Sequence, residues 1–211
     1  MTFRPPPPQR LSIDGPAGNL EAVLDDATSD DIRSFAVVCH PHPQFGGTLD
    51  NKVVHTLART FQELGVPALR FNYRGVGSSA GSFADGLGET EDALAVIDWG
   101  RARWPGARLW LAGFSFGAHV AWRASFERPA AQLVTVAPQV ERFRTGDARM
   151  PACPWLLIIG DADDVVDPQA MLAWARALTA PPRIEVLEGA GHFFHGRLHD
   201  LRDAVRRGIT A

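Results

Sequence analysis

The chain has 211 residues, of which 45% are hydrophobic and 21% charged, and it carries a formal net charge of −3. This length predicts a single domain over residues 1–211, and the slightly acidic balance argues against nucleic acid as the main partner. Two cysteines make no disulfide framework, and the longest apolar run, residues 155–159, has the length of a strand, so no membrane partner is predicted.

Residues 1–10 form a proline-rich N-terminal segment. Four prolines stand in a row at residues 5–8, and no apolar stretch of the kind found in secretory signals accompanies them. We expect residues 1–10 to form a short extended arm, with polyproline II conformation at the prolines. A cytoplasmic location is the expectation that follows from these features.

Apolar runs typical of buried strands alternate with helical patterns, in which apolar residues recur every three or four positions. The segment at residues 11–24 is compatible with an antiparallel hairpin at the edge of a sheet. Buried strands are predicted at residues 35–39, 68–73, 108–112, 133–136, 155–159 and 183–187. Helices are predicted at residues 49–64, 89–99, 168–178 and 198–209, and directly after residue 117.

This alternation predicts an α/β fold with a mostly parallel central sheet and helices on both faces. In such sheets, functional sites form at the carboxyl ends of the strands. Loops rich in glycine, proline, histidine or aspartate follow the predicted strands at that edge, beginning near residues 40, 74, 113, 160 and 188. We therefore expect the site to be assembled from these loops.

A Gly-Phe-Ser-Phe-Gly motif at residues 113–117 places Ser115 between a predicted strand and a predicted helix. In the Gly-x-Ser-x-Gly motif the serine lies on a strained strand-to-helix turn, and the glycines allow backbone to approach where a side chain would clash. A serine hydroxyl is a weak nucleophile that needs a base, and the base needs an orienting group. Later loops supply both, with acids within residues 160–166 and a histidine at residue 192.

Four motifs resemble those of the α/β-hydrolase family, and the resemblance extends from about residue 35 to residue 209. The motifs are Gly-Phe-Ser-Phe-Gly at residues 113–117, Arg-Gly-Val-Gly at 74–77, Gly-Asp-Ala-Asp-Asp-Val-Val at 160–166 and Gly-Ala-Gly-His at 189–192. The resemblance implies an α/β-hydrolase fold in which Ser115 is the nucleophile, Asp163 the orienting acid and His192 the base. Asp161 and Asp164 remain alternatives for the acid.

Three other polar residues near these motifs are predicted to have structural roles. Asp167 precedes Pro168 and is expected to cap a helix at its N-terminus. His195 and His199 fall at the start of the closing helix, where we expect them on a solvated face.

The loop at residues 40–47 is expected to complete an oxyanion hole. One donor should be the backbone N–H of Phe116, the residue after the nucleophile, and the other should come from this loop. The two prolines in the loop have no N–H. The resemblance implies His42 as the leading donor, because it stands two residues after His40, which resembles the histidine at the start of this loop in the family, and Gln44 is in reserve. His40 is expected to order the loop through its side chain.

Two further patterns suggest a metal or a nucleotide, and neither is completed. His40 and His42 have the spacing of a metal-binding pair, but no third ligand follows them before Asp50. Residues 75–80 fit a dinucleotide fingerprint, but further glycines follow where that motif needs a helix. We therefore predict no metal and no cofactor.

The sequence also bears on the substrate. Only 17 residues, 137–153, lie between the end of the fourth buried strand and Pro154, directly before the fifth, which is too short for a cap domain. An open site favours a small soluble ester as the substrate over a long-chain lipid, which usually needs covering apolar surface. Phe45, Phe114 and Phe193 flank the proposed chemistry and are predicted to line a small apolar pocket.

The resemblance implies a serine hydrolase that cleaves small carboxylic esters through an acyl-enzyme intermediate. The same triad fits a thioesterase, an amidase or a peptidase, and a non-catalytic scaffold used for binding is a further alternative. The chain is similar in size to the dienelactone-hydrolase-like group. That group has a cysteine where this chain has Ser115, so lactone cleavage is not implied. The oligomeric state stays open.

Overall fold

The computed structural model of the chain describes residues 6–29, 31–144 and 150–209. Its elements in chain order are β1 (Gln9–Gly15), β2 (Gly18–Asp25), β3 (Ser34–Cys39), α1 (Lys52–Glu63), β4 (Ala68–Phe71), α2 (Leu87–Arg103), β5 (Arg108–Phe114), α3 (Phe116–Glu127), β6 (Gln132–Val136), α4 (Val140–Arg144), β7 (Trp155–Gly160), α5 (Pro168–Arg176), β8 (Arg183–Leu187) and α6 (Leu198–Gly208). One turn of 3-10 helix, Pro43–Phe45, lies between β3 and α1.

The strands form one sheet in the order β1-β2-β4-β3-β5-β6-β7-β8. β1 and β2 form an antiparallel hairpin, and β2 is antiparallel to β4. All neighbouring pairs from β4 to β8 are parallel. Parallel neighbours need a crossover connection, and helices supply these connections along the chain. The predicted sheet, mostly parallel with a hairpin at its edge, is confirmed.

Helices cover both faces of the sheet, because successive strand residues point to opposite sides. In β3, Phe35 and Val37 belong to one core, and Ala36 between them belongs to the other. Helices α2 and α3 pack on the first core, and α1 and α6 pack on the second. Helix α5 packs on β7 through a smaller apolar cluster. The central strands are therefore buried on both sides, as continuous apolar runs predict.

The predicted elements are present with shifted ends. Helix α1 begins at Lys52 rather than near residue 49, because the Asn51 side chain accepts two N–H groups of the first turn as an N-cap. β4 ends at Phe71, two residues before its predicted end, and the N–H of Tyr73 donates instead to the His40 ring. The short helix α4 was not predicted, since five residues are too few to display a helical period.

The proline-rich arm predicted for residues 1–10 overlaps the first strand of the sheet. β1 begins at Gln9, so the last two residues of the predicted arm belong to the sheet, where β2 pairs with them. Residues 1–5 lie outside the described residues. The alternating pattern of β1 begins within the segment that the prolines dominate, which explains why its start was placed too late.

The two histidines predicted at the start of the closing helix occupy different environments. His195 lies in a turn before the helix, because Gly196 adopts a φ of 71° and α6 begins only at Leu198. The prediction for His195 is therefore wrong in its element, although its side chain is exposed. His199 lies in the first turn of α6 with its side chain 65% exposed, as predicted.

The carboxyl edge of the sheet is open. Between β6 and β7 the chain forms α4, and residues 145–149 of this connection lie outside the described residues. The connection is too short for a cap domain. Among the described residues, no helix is long and apolar enough to cross a bilayer. The loops after β3, β5, β7 and β8 therefore meet at an uncovered edge, where parallel sheets place their sites.

Candidate active site

Ser115 lies on the sharp turn between β5 and α3. Its backbone has a φ of 54° and a ψ of −117°, a conformation that residues other than glycine rarely adopt. Such strain persists only where the surroundings fix it, and here the N–H of Ser115 donates to the carbonyl oxygen of Val136 in β6 at 2.8 Å. The turn lifts the side chain of Ser115 to the open edge of the sheet.

The two glycines of the motif are required by close packing. A Cβ atom on Gly113 would lie 2.0 Å from the carbonyl oxygen of Gly117. A Cβ atom on Gly117 would lie 2.3 Å from the carbonyl oxygen of Cys39 in β3. The absence of both side chains lets the first turn of α3 sit directly against β3 and β5, which is the role predicted for these glycines.

Ser115, His192 and Asp163 meet at this edge, although they come from three separate loops. Ser115 Oγ lies 3.1 Å from His192 Nε2, and Asp163 Oδ2 lies 2.8 Å from His192 Nδ1. The side chains of His192 and Asp163 are buried. Because Nδ1 faces a carboxylate, it carries the proton of the neutral ring, and Nε2 is left to accept the proton of the serine hydroxyl.

The second carboxylate oxygen of Asp163 is also engaged. Oδ1 accepts the backbone N–H groups of Val165 and Val166, each at 2.9 Å. Burial by itself raises the pKa of Asp163, but the hydrogen bonds from His192 and from these two amides outweigh it, so the pKa lies below its ordinary value. The carboxylate is therefore ionised and fixed in direction.

The other acids of this loop have different partners. Asp161 Oδ1 accepts the N–H of Gly189 at 2.6 Å and so ties the loop after β7 to the loop after β8. Asp164 is exposed. Asp167 accepts two N–H groups of the first turn of α5, and it is the N-cap that the sequence predicts. Among the acids weighed as alternatives, the structure thus brings Asp163 to His192.

The residues proposed as oxyanion donors, Phe116 and His42, line the same cavity as Ser115. Phe116 is the first residue of α3, and the first amides of a helix have no intrahelical acceptor. The N–H of Gln44 donates to the His42 ring at 3.3 Å. Among the described residues, neither the N–H of Phe116 nor that of His42 has an acceptor. This difference favours His42 over Gln44 as the second donor.

His40 fixes the loop that carries His42. His40 Nδ1 lies 2.7 Å from the carbonyl oxygen of Pro41, and Nε2 accepts the N–H of Tyr73 at 3.2 Å. Burial lowers the pKa of His40 to about 3, although the contact with the Pro41 carbonyl opposes this effect. The ring is therefore neutral and joins the loop after β3 to the residues that follow β4. The sequence predicts that His40 orders its loop, but not the link to the segment after β4.

A cavity of about 440 Å³ opens above Ser115. Three exposed apolar side chains form what we call the apolar rim: Phe45, Val165 and Phe193, which are 86%, 54% and 45% exposed. The complete lining consists of Pro41, His42, Phe45, Gly46, Gly47, Asn51, Ser115, Phe116, Gln139, Val165, His192 and Phe193. Phe45 and Phe193 therefore lie where they were predicted.

Phe114 was predicted to line the pocket, and it does not. Its side chain has no exposed surface and belongs to the core beneath α1 and α6. Its ring centroid lies 5.0 Å from that of His192 and 6.1 Å from that of Phe193. Because strand residues alternate between faces, this last residue of β5 points into the core and supports His192 from below.

Three residues of the lining were not predicted. Asn51 stands directly before α1, and an asparagine before a helical pattern is a signal that could have identified it as a cap. Val165 lies inside the motif at residues 160–166, which singles out its acids, and Gln139 lies in a connection with no motif of its own. No signal in the sequence marks either residue as part of the cavity.

The residues whose sequence patterns suggested a metal or a nucleotide site make other contacts in the structure. Residues 75–80 form a loop closed by a hydrogen bond from the N–H of Gly75 to the carbonyl oxygen of Ala80, and α2 begins only at Leu87. His40 is held by backbone groups and His42 by the N–H of Gln44. Within the described parts of the chain, no group of three or more His, Cys, Asp and Glu side chains is arranged to hold a metal ion.

Comparisons with known proteins identify the family and agree with the fold. The family model of the X-Pro dipeptidyl-peptidases (S15 family) matches residues 33–147. The structure of an α/β serine hydrolase homologue from Coxiella burnetii is 42% identical with a TM-score of 0.90, over 96% of this chain and 97% of that chain. An α/β serine hydrolase without a lid from Xanthomonas campestris is 43% identical with a TM-score of 0.88, over 100% of this chain and 99% of that chain.

A curated sequence relative extends the same similarity. An uncharacterised protein of Rickettsia prowazekii is 32% identical over 206 residues, which cover 93% of this chain and 86% of that protein. The family match covers more than half of the chain, and the structural matches cover nearly all of it without a lid. The chain therefore belongs to the α/β serine hydrolases, and among them to the X-Pro dipeptidyl-peptidase (S15) family.

Proposed function

We propose that this protein is a serine hydrolase that cleaves small carboxylic esters through an acyl-enzyme intermediate. The observation that carries the proposal is the continuous hydrogen-bonded series from Ser115 through His192 to Asp163, with distances of 3.1 and 2.8 Å, on the floor of an open cavity. This series supplies a nucleophile, a base and an orienting acid in the order that acyl transfer requires.

The first step is attack by Ser115 Oγ on the carbonyl carbon of the ester. As the new C–O bond forms, the hydroxyl proton passes to His192 Nε2. The ring then carries two protons, and the ionised Asp163 beside Nδ1 stabilises that positive charge. The lowered pKa of Asp163 supports this role, because the acid must stay charged throughout.

The carbonyl oxygen becomes negatively charged in the same step. The N–H groups of Phe116 and His42 are the donors proposed for it. Both are backbone groups, held by the start of α3 and by the loop that His40 anchors. Donors that are already in place stabilise the developing charge without reorganisation, and this term is often the largest in acyl transfer.

The intermediate then collapses to the acyl-enzyme. The C–O bond to the alcohol breaks as His192 donates its Nε2 proton to the leaving oxygen. A water molecule next loses a proton to His192 and attacks the acyl carbon, which releases the carboxylic acid and returns the proton to Ser115. No cofactor takes part in this scheme.

The cavity supports a small substrate. Its volume of about 440 Å³ falls in the range of small-molecule sites, and its apolar rim offers contact to the hydrocarbon parts of an ester. The open edge lacks the covering apolar surface that a long acyl chain would need. We therefore expect kcat/KM to be higher for esters of about two to six acyl carbons than for long-chain esters.

The test compares hydrolysis of p-nitrophenyl acetate, butyrate and decanoate by the wild type and by Ser115→Ala. We expect kcat of the variant to fall by about 10⁴-fold or more. Ser29→Ala is the matched control, because Ser29 is exposed and lies before β3, at the other edge of the sheet. Turnover by Ser115→Ala equal to that of the wild type would contradict the assignment of the nucleophile, and a preference for decanoate would contradict the proposed substrate size.

A second candidate function is cleavage of peptides after an X-Pro dipeptide, which the family match favours. Such a substrate brings a positively charged terminal amine into the site, and a partly buried cation needs a carboxylate partner. None of the side chains given above as the cavity lining is Asp or Glu. The matched residues, 33–147, also stop before Asp163 and His192. We therefore place ester cleavage first.

The two functions are separated by measuring kcat/KM for Ala-Pro-p-nitroanilide and for p-nitrophenyl butyrate with the same preparation. The ester proposal predicts a clearly higher value for the ester in the wild type, and loss of both activities in Ser115→Ala. A higher value for the dipeptide anilide would replace the ester by the peptide as the substrate class.

A further inference from the structure

Two side-chain amides line the cavity, and the proposed mechanism uses neither of them. Asn51 stands at the start of α1, and Gln139 follows the end of β6. Both side chains are partly exposed. In a largely apolar cavity, a few fixed polar groups decide which molecules bind and in which orientation. The direction of these two amides is therefore informative.

The side-chain oxygen of Gln139 is held by an arginine. Arg142 Nε donates to Gln139 Oε1 at 3.2 Å. Because a guanidinium group donates only, the amide atom that faces it must be the oxygen, and the NH₂ group takes the other direction. A backbone hydrogen bond joins the same two residues, since the N–H of Arg142 donates to the carbonyl oxygen of Gln139 at 3.2 Å.

Arg142 is itself held in place by the walls of the site. Its Cζ atom lies 4.9 Å from the centroid of the Phe116 ring, a distance typical of cation–π contact. Its Nη1 atom lies 3.6 Å from Asp85 Oδ1 in the loop before α2. The position of the guanidinium, and with it the orientation of the Gln139 amide, is thus set by two different segments of the chain.

The side-chain oxygen of Asn51 is also held by the protein, because it caps the N-terminus of α1. Oδ1 accepts the N–H groups of Val53 and Val54, at 2.9 and 3.4 Å. As with Gln139, the atom that accepts hydrogen bonds faces the protein and the NH₂ group does not. Among the described residues, neither Gln139 Nε2 nor Asn51 Nδ2 donates a hydrogen bond. The end of each amide that is left to meet a ligand is therefore its NH₂ group, which can only donate.

From this arrangement we infer that the site recognises esters that carry a second, neutral acceptor oxygen, such as an ether or carbonyl oxygen, in addition to the scissile group. The NH₂ groups of Gln139 and Asn51 donate to that oxygen. The inference rests on the proposed function, and it narrows the substrate class from small esters to oxygen-substituted small esters. Arg142 is a positioning residue in this account, because it acts through Gln139.

The experiment uses pairs of esters that differ only by replacement of a methylene by an ether oxygen. One series compares p-nitrophenyl hexanoate with its 3-, 4- and 5-oxa analogues, and a second compares hexyl acetate with its oxa analogues in the alcohol chain. The quantity measured is the ratio of kcat/KM for the oxa ester to that for the alkyl ester. Each variant is compared with the wild type, so the intrinsic reactivity of the esters cancels.

The variants Gln139→Glu and Asn51→Asp replace only the NH₂ group by oxygen. A glutamate keeps the acceptor for Arg142, and an aspartate keeps the cap of α1, so both variants are expected to fold. Each is expected to lower the oxa/alkyl ratio about three- to tenfold for at least one position of the oxygen, and the double variant is expected to lower it further. Arg142→Met should lower the ratio as well, through a higher KM for the oxa ester.

Gln169→Glu is the matched control, because Gln169 is exposed on α5 and does not line the cavity. It is expected to keep the wild-type ratio. If the double variant of Gln139 and Asn51 also keeps that ratio at every position in both series, the inference is wrong and the proposed function stands. If the wild type hydrolyses no ester of either series, the proposed function itself is wrong.

Discussion

The floor and the rim of the cavity are built in opposite ways. On the floor, Ser115, His192 and Asp163 form one hydrogen-bonded series, and both oxygens of the acid are engaged. At the apolar rim, the side chains of Phe45 and Phe193 are exposed to solvent and are not enclosed by neighbouring residues. The floor is thus fixed by hydrogen bonds in buried surroundings, whereas the rim is held by a few aromatic contacts.

This contrast separates chemistry from recognition. Groups that must act on a reacting atom lose most of their effect when displaced by a fraction of an ångström, so the floor needs rigid support. Apolar contacts have no preferred direction, and a rim that relies on them tolerates movement and different substrates. We therefore expect substitutions on the floor to change kcat and those at the rim to change KM. The following predictions test that division, beginning with the largest effect.

Replacing the acid of the floor should have the largest effect. In Asp163→Asn the side chain loses its charge and no longer holds the proton of His192 on Nδ1, so Nε2 is not left free to accept the proton of Ser115. We expect kcat for p-nitrophenyl butyrate to fall by about 10⁴-fold. Asp164→Asn, in the same loop but exposed, is the control and should stay within about threefold of the wild type. A fall of less than tenfold in Asp163→Asn would show that the acid comes from elsewhere.

A pair of phenylalanine truncations should separate the layer under the floor from the rim. Phe114→Ala removes a fully buried ring that contacts His192, and the free energy of unfolding should fall by about 3–5 kcal/mol. Phe45→Ala removes a ring that is 86% exposed, and the change should stay below about 0.5 kcal/mol. Denaturant unfolding of both variants measures the difference. Equal losses would mean that Phe45 is packed in solution.

Much of the fold and of the floor could be predicted from the sequence, because local patterns determine them. Buried strands are continuous apolar runs, and their order along the chain places successive loops at one edge of the sheet. Ser115, Asp163 and His192 each follow such a strand within a short motif, so the structure brings together the three residues that the motifs single out. The choice of Asp163 over its neighbours came from the motif and agrees with the contacts.

The rest depends on contacts between distant segments. Phe114 directly precedes Ser115, and its position in the core follows only from the face that the last residue of β5 occupies. The orientation of Gln139 depends on Arg142, which rests on Phe116 and faces Asp85. No local pattern joins these residues. Side-chain direction at a strand end and amide orientation in a loop are therefore tertiary properties.

The buried histidine His40, in the loop after β3, should make the folded state less stable in acid. Burial lowers the pKa of His40 to about 3 from an ordinary value of 6.5, so the native state keeps the ring neutral while the unfolded chain takes up a proton below pH 6.5. Acid therefore favours the unfolded state, and stability falls as pH decreases through this window. For His40 alone the loss between pH 7 and pH 5 is about 2 kcal/mol. His119, whose burial lowers its pKa to about 4, acts in the same direction.

The measurement is the free energy of unfolding in urea at several pH values between 5 and 7. In His40→Asn the slope should be smaller than in the wild type by the contribution of one histidine, even where the variant is less stable at every pH. His199→Asn is the comparison variant, because it removes an exposed histidine of α6 and leaves the buried ring of His40 in place. An unchanged slope in His40→Asn would mean that His40 takes up its proton in the native state near the ordinary pH.

The rim should show the smallest effect, and one that depends on the substrate. In Phe193→Ala the ring that stands beside His192 is lost, and with it apolar contact to the substrate. We expect KM for p-nitrophenyl hexanoate to rise by about three- to tenfold, with little change for the acetate and with kcat within about twofold. Leu64→Ala is the control, because Leu64 is 38% exposed at the other edge of the sheet. A loss that does not depend on chain length would report on the position of His192 and not on contact with the acyl group. If Phe193→Ala lowers kcat for both esters equally, we would therefore assign the Phe193 ring to the support of His192 and not to substrate binding.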